Sequence, residues 1–466
     1  MGKWAAKLGR WGQGLALVLL FCLPIWLSRS DNPTMLEDSD TKVLLHHIRE
    51  RGDPLSWFTG DWPLGNHFYR PVSTLTFELD NALHGSNAAG YGRTNALIAI
   101  LCVLLLYWFL REVTDRIEVA LPGALLFALW NVDDGGWLGP IAYWMGWASL
   151  GLMLLPGRRW GPAVVSALTL MFLSGELHGL MPLQFRMIEW LPGRTASVMT
   201  VFALLAFASY ARYERLGAAS LPKPAPGPLD PPATKGTEVR GKTPRFNMGW
   251  AALSVLGLAL ALGSYEQAVI VPGLLVAVAL SLRLQRYRVR WGWQAVFWGL
   301  LLGYLALRSQ LVPSDVSGYQ AQQFRSGLGV FQSLLSYLIP SAPAVWQTFQ
   351  AYDIPMMLEA GGFFGLAMNF PIGTVLNFAT NVGTVVACRG VWLWPLAGWS
   401  MSFVAFLPMA WLKHFDHYHY LPMAMRALFV GALIGVAGKA LVSAASRPAI
   451  PAPPRHDPAP GSLPHR

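Results

Sequence analysis

Leu97-Ile98-Ala99-Ile100-Leu101-Cys102-Val103-Leu104-Leu105-Leu106-Tyr107-Trp108-Phe109-Leu110 contains no charged side chain and closes on three aromatics. A helix needs roughly 20 mostly apolar residues to cross a bilayer, and this run reaches that length with its flanks. Gly14–Leu27 and Trp250–Leu262 repeat the pattern, also without a charge. Over the whole chain of 466 residues, 54% are hydrophobic and only 13% charged, against about a quarter charged in soluble proteins. The 21 tryptophans fit a membrane protein, because indoles collect at the membrane–water interface. The expectation is an all-α integral membrane protein with about 11–13 transmembrane helices.

Working outward, spans are expected near 12–28, 94–110, 118–131, 138–155, 161–177, 196–211, 248–264, 267–282, 292–308, 371–388, 391–411 and 421–442. Lys3, Lys7 and Arg10 precede the first span, and Leu27-Ser28-Arg29-Ser30 after it is a poor cleavage site, so the start reads as an uncleaved signal anchor. With the N-terminus in the cytoplasm, every inner loop is basic: Arg111 and Arg116; Arg158 and Arg159; Arg212 and Arg215; Arg283, Arg286, Arg288 and Arg290; Arg389; Lys439 and Arg447. That is the positive-inside pattern. It also accounts for the net charge of +10 without nucleic acid as a partner. Cys22, Cys102 and Cys388 sit in or beside apolar runs with no metal-ligand spacing, and read as small buried hydrophobes.

Three segments interrupt the apolar pattern. Residues 29–93 form a long extracytoplasmic loop with room for short amphipathic helices. Residues 216–247 hold seven prolines and read as a cytoplasmic linker between a membrane half at 1–215 and another at 248–445. Residues 446–466 read as a disordered cytoplasmic tail. A further outer region, about 309–370, has the composition of interfacial or re-entrant helices. No Asn-x-Ser/Thr sequon with x other than proline occurs, in keeping with a bacterial inner membrane.

The ionisable residues are sorted by side. Inner ends carry mostly Arg and Lys, whereas outer ends carry acids and imidazoles, among them Asp38, Asp40, Glu189, Glu266, Asp416, His417 and His419. Such groups are costly at membrane depth, so at the outer ends they are either solvated interfacial residues or the lining of a site. In Glu37-Asp38-Ser39-Asp40-Thr41, before the short helix expected at Lys42–Ile48, Asp38 suits an N-cap. Asp40 shares a helical face with Leu44 and Ile48, which points it at the protein, where partial desolvation would favour a base. Asp40 is the preferred base, and Asp38 the second candidate.

Five blocks follow in order: Asn66-His67-Phe68-Tyr69-Arg70-Pro71-Val72; Glu189-Trp190-Leu191-Pro192-Gly193-Arg194; Ser264-Tyr265-Glu266-Gln267 running to Pro272; Tyr304-Leu305-Ala306-Leu307-Arg308; and Asp416-His417-Tyr418-His419-Tyr420. Together they resemble the polyprenyl-phosphate-sugar-dependent glycosyltransferases of the GT-C superfamily, and within it the transmembrane protein O-mannosyltransferase-like group. The usual adjacent acidic pair is split here as Asp38-Ser39-Asp40. Tyr265 stands where that family has Lys, and His417 where it has Arg.

The resemblance implies a sugar carried on a polyprenyl phosphate in the outer leaflet and transferred, with inversion, to a hydroxyl of a protein, glycan or lipid acceptor. The donor phosphate would meet Tyr69, Arg70, Arg194, Arg308, His417 and His419, with Glu189, Tyr265, Glu266 and Asp416 supporting them. For each arginine the plain alternative is a residue snorkelling to the interface. The i, i+2 spacing of His417 and His419 is poor for zinc, and a divalent metal has no further support. A transporter or lipid flippase is the main rival, but it would place its charges near mid-membrane between repeats. A non-catalytic membrane scaffold is the third reading. No P-loop is present.

Overall fold

A computed structural model describes residues 2–133, 137–155, 159–178, 189–218, 248–313, 315–325, 327–338, 393–413 and 415–446. Its described elements are helical, with one isolated antiparallel bridge between Phe324 and Leu412. Eleven of the twelve expected spans fall on helices; the one at 371–388 lies outside the described residues, as do most of the Pro-rich linker and the tail.

The helices are α1 (Gly2–Phe21), α2 (Leu23–Leu27), α3 (Ser39–Arg51), α4 (Pro71–His84), α5 (Ala88–Thr114), α6 (Ile117–Trp130), α7 (Leu138–Gly151), α8 (Trp160–His178), α9 (Arg194–Ala218), α10 (Met248–Leu262), α11 (Val271–Leu284), α12 (Gly292–Leu311), α13 (Gly318–Gln323), α14 (Leu328–Leu338), α15 (Leu393–Phe406) and α16 (Tyr420–Ala445). Five segments are long and apolar enough to cross a membrane: Gly9–Leu27, Ala88–Thr114, Leu191–Gly217, Glu266–Leu284 and His417–Ala445. Five shorter apolar helices stand among them, and α12 is long but less apolar. This is a multi-pass membrane protein. Leucines such as Leu97, Leu101 and Leu302 are exposed on the outside of the bundle, as expected where lipid replaces water.

The α16 helix is buried along most of its length and packs on α6, α8 and α15. Lipid tails are as apolar as leucine, so helix association relies on close packing rather than on the hydrophobic effect. Gly123 of α6 supplies it: a Cβ there would lie 2.6 Å from the carbonyl oxygen of Ala427. Gly431 returns the contact against the backbone at Val119 and Gly123.

The two ends of the bundle differ. At about 1.5 Å per residue, the 27-residue α5 separates them by about 40 Å. Around its C-terminus, buried Glu112 lies 3.4 Å from Arg212 and 3.7 Å from Arg215, and Gln285 donates to the Val113 carbonyl at 3.0 Å. Around its N-terminus sit α3 and α4 with the loop that joins them. Arg212 and Arg215, expected on one side of the membrane, thus lie at one end of α5, and α3 and α4, expected on the other side, lie at the opposite end.

The α3–α4 layer has a small core of its own, where Leu44, Leu45 and Ile48 meet Trp57, Trp62, Phe77, Tyr91 and Leu191. Asp38 caps α3, accepting from the Thr41 N–H at 3.2 Å, and Gly52 at φ +62° ends it in the left-handed conformation. Pro71 opens α4 at the first helical position, where its missing N–H costs nothing. The layer is fastened to the bundle by an ion pair between Arg194 Nη2 of α9 and Asp80 Oδ2 of α4, 2.6 Å apart with both side chains fully buried.

Candidate active site

The loop between α3 and α4 is built around one carboxylate. Asp61 accepts from the backbone N–H groups of Trp62 at 2.8 Å, His67 at 2.7 Å and Phe68 at 2.8 Å. These bonds close residues 61–68 into a compact turn with Gly65 at φ +60° and His67, unusually for a side-chain-bearing residue, at φ +65°. From outside, Arg308 donates to the His67 carbonyl at 3.0 Å, and Ser317 Oγ donates to the Asn66 carbonyl at 3.3 Å.

The chain then runs into the Tyr69-Arg70-Pro71 block, which is joined bond by bond to residues 263–266. Tyr69 N–H donates to Glu266 Oε1 at 3.2 Å, Val72 N–H to the Gly263 carbonyl at 2.9 Å, and Ser73 Oγ to the Ser264 carbonyl at 2.9 Å. Arg70 is buried and bound to Glu266 Oε2 through Nε at 2.8 Å and Nη2 at 2.6 Å. Its guanidinium lies 4.4 Å from the Trp62 ring centroid, 4.1 Å from Phe68 and 4.6 Å from Tyr265. Such contacts are worth about 0.5–1 kcal/mol at exposed sites and about 2 kcal/mol when desolvated. Burial by itself would lower the Arg70 pKa; Glu266, together with Tyr265 and Tyr418, outweighs it, so the pKa is raised and the group stays charged. Burial also raises the Tyr69 phenol above its ordinary range, and its hydroxyl donates to the Phe58 carbonyl at 3.1 Å.

A cavity of about 310 Å³ opens against this block, at the small end of the roughly 300–1,000 Å³ typical of ligand pockets. Asp40 and Val43 of α3 form one side, and Trp62, Leu64, Asn66, Phe68 and Arg70 a second. Trp190, Pro192 and Thr195 line the start of α9, and Tyr265, Phe415, His417 and Tyr418 complete the wall. Gln267 holds that last wall in place by donating to the carbonyls of Ala405 at 3.0 Å and Tyr418 at 3.1 Å.

The cavity thus brings together Asp40, Arg70, Tyr265 and His417, drawn from four distant blocks, with Glu266 directly behind Arg70. Asp40 differs in one respect from the sequence expectation: although Leu44 and Ile48 below it are buried, Asp40 itself is exposed. The first turn of α3 projects past the core it packs on, so the carboxylate stands at the cavity edge rather than in a desolvated interior. Asp38 lies two residues back at the N-cap, its Oδ2 shared between Thr41 and the indole N–H of Trp190 at 3.1 Å.

The other candidates lie elsewhere. Arg194 is enclosed by Asp80, by Asn95 Oδ1 at 2.6 Å and by the carbonyls of Thr76 and Tyr91 at 3.3 Å each, and is not among the cavity-lining residues. Arg308 supports the 61–68 turn from behind. His419 points away from His417, its ring 5.2 Å from that of Phe406 and 5.7 Å from that of Tyr337, because residues 416–419 form a 3-10 turn in which i and i+2 face different sides. Glu189 is exposed and outside the lining, and the Asp416 side chain lies outside the described residues. Among the described residues no three or more His, Cys, Asp or Glu side chains converge to hold a metal ion.

Sequence reasoning passed over the aromatic lining. Trp62, Phe68 and Trp190 stood beside the chosen charged residues, and the cue was available: a buried arginine needs partners on its flat faces. Asp80 was also missed, since nothing local marks it as the counter-ion of a residue 114 positions away.

Fold and site together define a multi-pass, all-α membrane protein with a cavity of mixed charge and aromatic character at one end of its bundle. No family model matches the chain, and no curated protein sequence matches it. Among solved structures, the crystal structure of ArnT from Cupriavidus metallidurans bound to undecaprenyl phosphate aligns with 93% of this chain and 78% of that one, at 14% identity and a TM-score of 0.30. A likeness of that strength says nothing about the chemistry of this cavity, which has to be read from its own residues.

Proposed function

We propose that the protein is a GT-C-type membrane glycosyltransferase of the hexosyl or mannosyl kind. It would move a sugar from a polyprenyl-phosphate donor to an acceptor hydroxyl at the extracytoplasmic face. The observation that carries the reading is the cavity itself, which holds one exposed carboxylate, Asp40, and two potential phosphate partners, Arg70 and His417, between aromatic walls. Support also comes from the ordered Tyr69-Arg70-Pro71, Tyr265-Glu266 and His417 blocks, which resemble those of that superfamily.

In this reading the acceptor enters past the open edge. Asp40 takes the hydroxyl proton as the acceptor oxygen bonds to the anomeric carbon. The bond from that carbon to the phosphate oxygen breaks, its electron pair leaves on the polyprenyl phosphate, and the configuration inverts. Nη1 of Arg70, which the Glu266 pair does not use, and the His417 ring stabilise the charge that builds on the leaving phosphate. Glu266 fixes the guanidinium plane. Trp62, Phe68 and Tyr265 exclude water from it, which strengthens its attraction for an anion.

The test uses the full-length protein in lipid nanodiscs with a panel of farnesyl-phosphate hexoses, and a membrane extract as the source of acceptors. Asp40→Asn is expected to abolish release of farnesyl phosphate while calorimetric binding of farnesyl phosphate is unchanged. Wild-type turnover by that variant would remove Asp40 as the base.

A further inference from the structure

Trp190 occupies the junction between the two sides of the cavity. Its indole N–H donates to Asp38 Oδ2 at 3.1 Å, the oxygen that also accepts from the Thr41 N–H at 3.2 Å. Its ring lies 5.2 Å from the ring of His417, and it lines the cavity alongside Asp40 and His417. One side chain therefore touches both the turn that presents Asp40 and His417, which lines the same cavity.

That turn needs holding. The first N–H groups of a helix have no partner within it, and at α3 the Asp38 side chain satisfies the N–H of Thr41. The buried contacts of α3 begin at Thr41 and continue through Leu44, Leu45 and Ile48, so the segment carrying Asp40 projects beyond the packed face. Trp190 reaches it from firm ground. The residues that follow, Leu191, Pro192 and Gly193, are buried in a 3-10 turn that leads directly into α9. Leu191 belongs to the same small core as Leu44 and Ile48.

Taking the glycosyl-transfer reading as given, we infer that Trp190 and Asp38 are a positioning pair for Asp40. The indole N–H anchors the cap carboxylate, the cap fixes the first turn of α3, and the turn sets Asp40 at a constant separation from the His417 wall. Asp38 then acts through its geometry and not as a base. The pair explains why two acids two residues apart occupy such different surroundings, one bonded to Thr41 and Trp190 and the other at the cavity edge.

The decisive comparison is between two substitutions at Asp38, measured as farnesyl phosphate release from the same farnesyl-phosphate hexose panel. Asn caps a helix as well as Asp does, and its side-chain oxygen still accepts from Trp190, but it has no basic carboxylate. A positioning role predicts that Asp38→Asn keeps kcat near wild type, whereas Asp38→Ala lowers it. Trp190→Phe keeps a smaller aromatic ring and loses the N–H. It is expected to lower kcat by roughly tenfold to a hundredfold, the scale of a small misplacement of a reacting group, with KM for the donor little changed. Combined with Asp38→Ala, it should add almost nothing.

An inactive Asp38→Asn, or a Trp190→Phe enzyme with wild-type kcat, overturns the positioning pair. If Asp38→Asn is inactive while Asp40→Asn turns over, the base is Asp38 and sugar transfer survives. If both Asn variants turn over normally, the catalytic-aspartate reading itself is lost. Should Trp190→Phe fail to fold, the two Asp38 variants still decide.

Discussion

Arg194 offers the sharpest test of how these helices are held together, because the sequence marked it as a phosphate ligand and the fold encloses it. Its Nη2 is 2.6 Å from Asp80 Oδ2, with side-chain exposures of 0% and 1%. Nε donates to Asn95 at 2.6 Å, and Asp80 Oδ1 accepts from Thr94 at 2.6 Å. Substituting Asp80→Leu leaves a buried guanidinium without its counter-ion, a change that costs about 3–5 kcal/mol. Arg194→Met strands the Asp80 carboxylate by a similar route. The double variant Asp80→Leu/Arg194→Met removes both charges, and a buried pair replaced by apolar groups is often neutral. Its residual cost is the partners lost by Asn95, Thr94 and the Thr76 and Tyr91 carbonyls, about 1–3 kcal/mol for each group left buried and unsatisfied. Each single variant carries part of that cost as well as a stranded charge. The double variant is therefore expected to be more stable than either single one. Unfolding by SDS from mild detergent, followed by tryptophan fluorescence, measures all three. The same preparations titrated with farnesyl phosphate should show unchanged affinity in the folded fraction of Arg194→Met. The reasoning is refuted if Asp80→Leu costs less than about 1 kcal/mol, or if Arg194→Met loses lipid affinity at an unaltered unfolding midpoint.

Three further outcomes follow from the geometry. Arg70→Lys keeps the charge but loses the two-nitrogen grip on Glu266 and the flat face packed between Trp62, Phe68 and Tyr265; calorimetry should show farnesyl phosphate affinity at least about tenfold weaker. Arg308→Ala removes the shorter of two hydrogen bonds to the His67 carbonyl, leaving Gln320 Nε2 at 3.4 Å, and loosens the 61–68 turn from behind. KM should rise by about tenfold, since a hydrogen bond to a charged group is worth about 1.5–3 kcal/mol before solvent exposure reduces it, and an effect on kcat larger than that on KM would contradict an indirect role. Gly123→Val places atoms against the Ala427 carbonyl, 2.6 Å from the position of a Cβ. Separating α6 from α16 should cost about 1–3 kcal/mol or more, read as a lowered unfolding midpoint.

The amino-acid sequence by itself determined the class of fold. Apolarity over a run such as Leu97–Leu110 is a local property, and a bilayer imposes helix on it because no water is present to satisfy the backbone. The gathering of acids and imidazoles at alternate span ends was equally legible. The Tyr69-Arg70-Pro71 and Tyr265-Glu266 blocks, picked out separately, turned out to be bonded to each other. Tertiary structure alone decided the fate of each charge. Arg70 and Arg194 look alike in sequence, but one meets Glu266 beside a cavity and the other meets Asp80 in a sealed interface. His417 and His419 are separated by one residue and face different neighbours, and Asp38 and Asp40 differ in the same way. Helix formation depends on neighbours along the chain. The surroundings of a charge depend on which helices lie beside it, and no sequence window contains that.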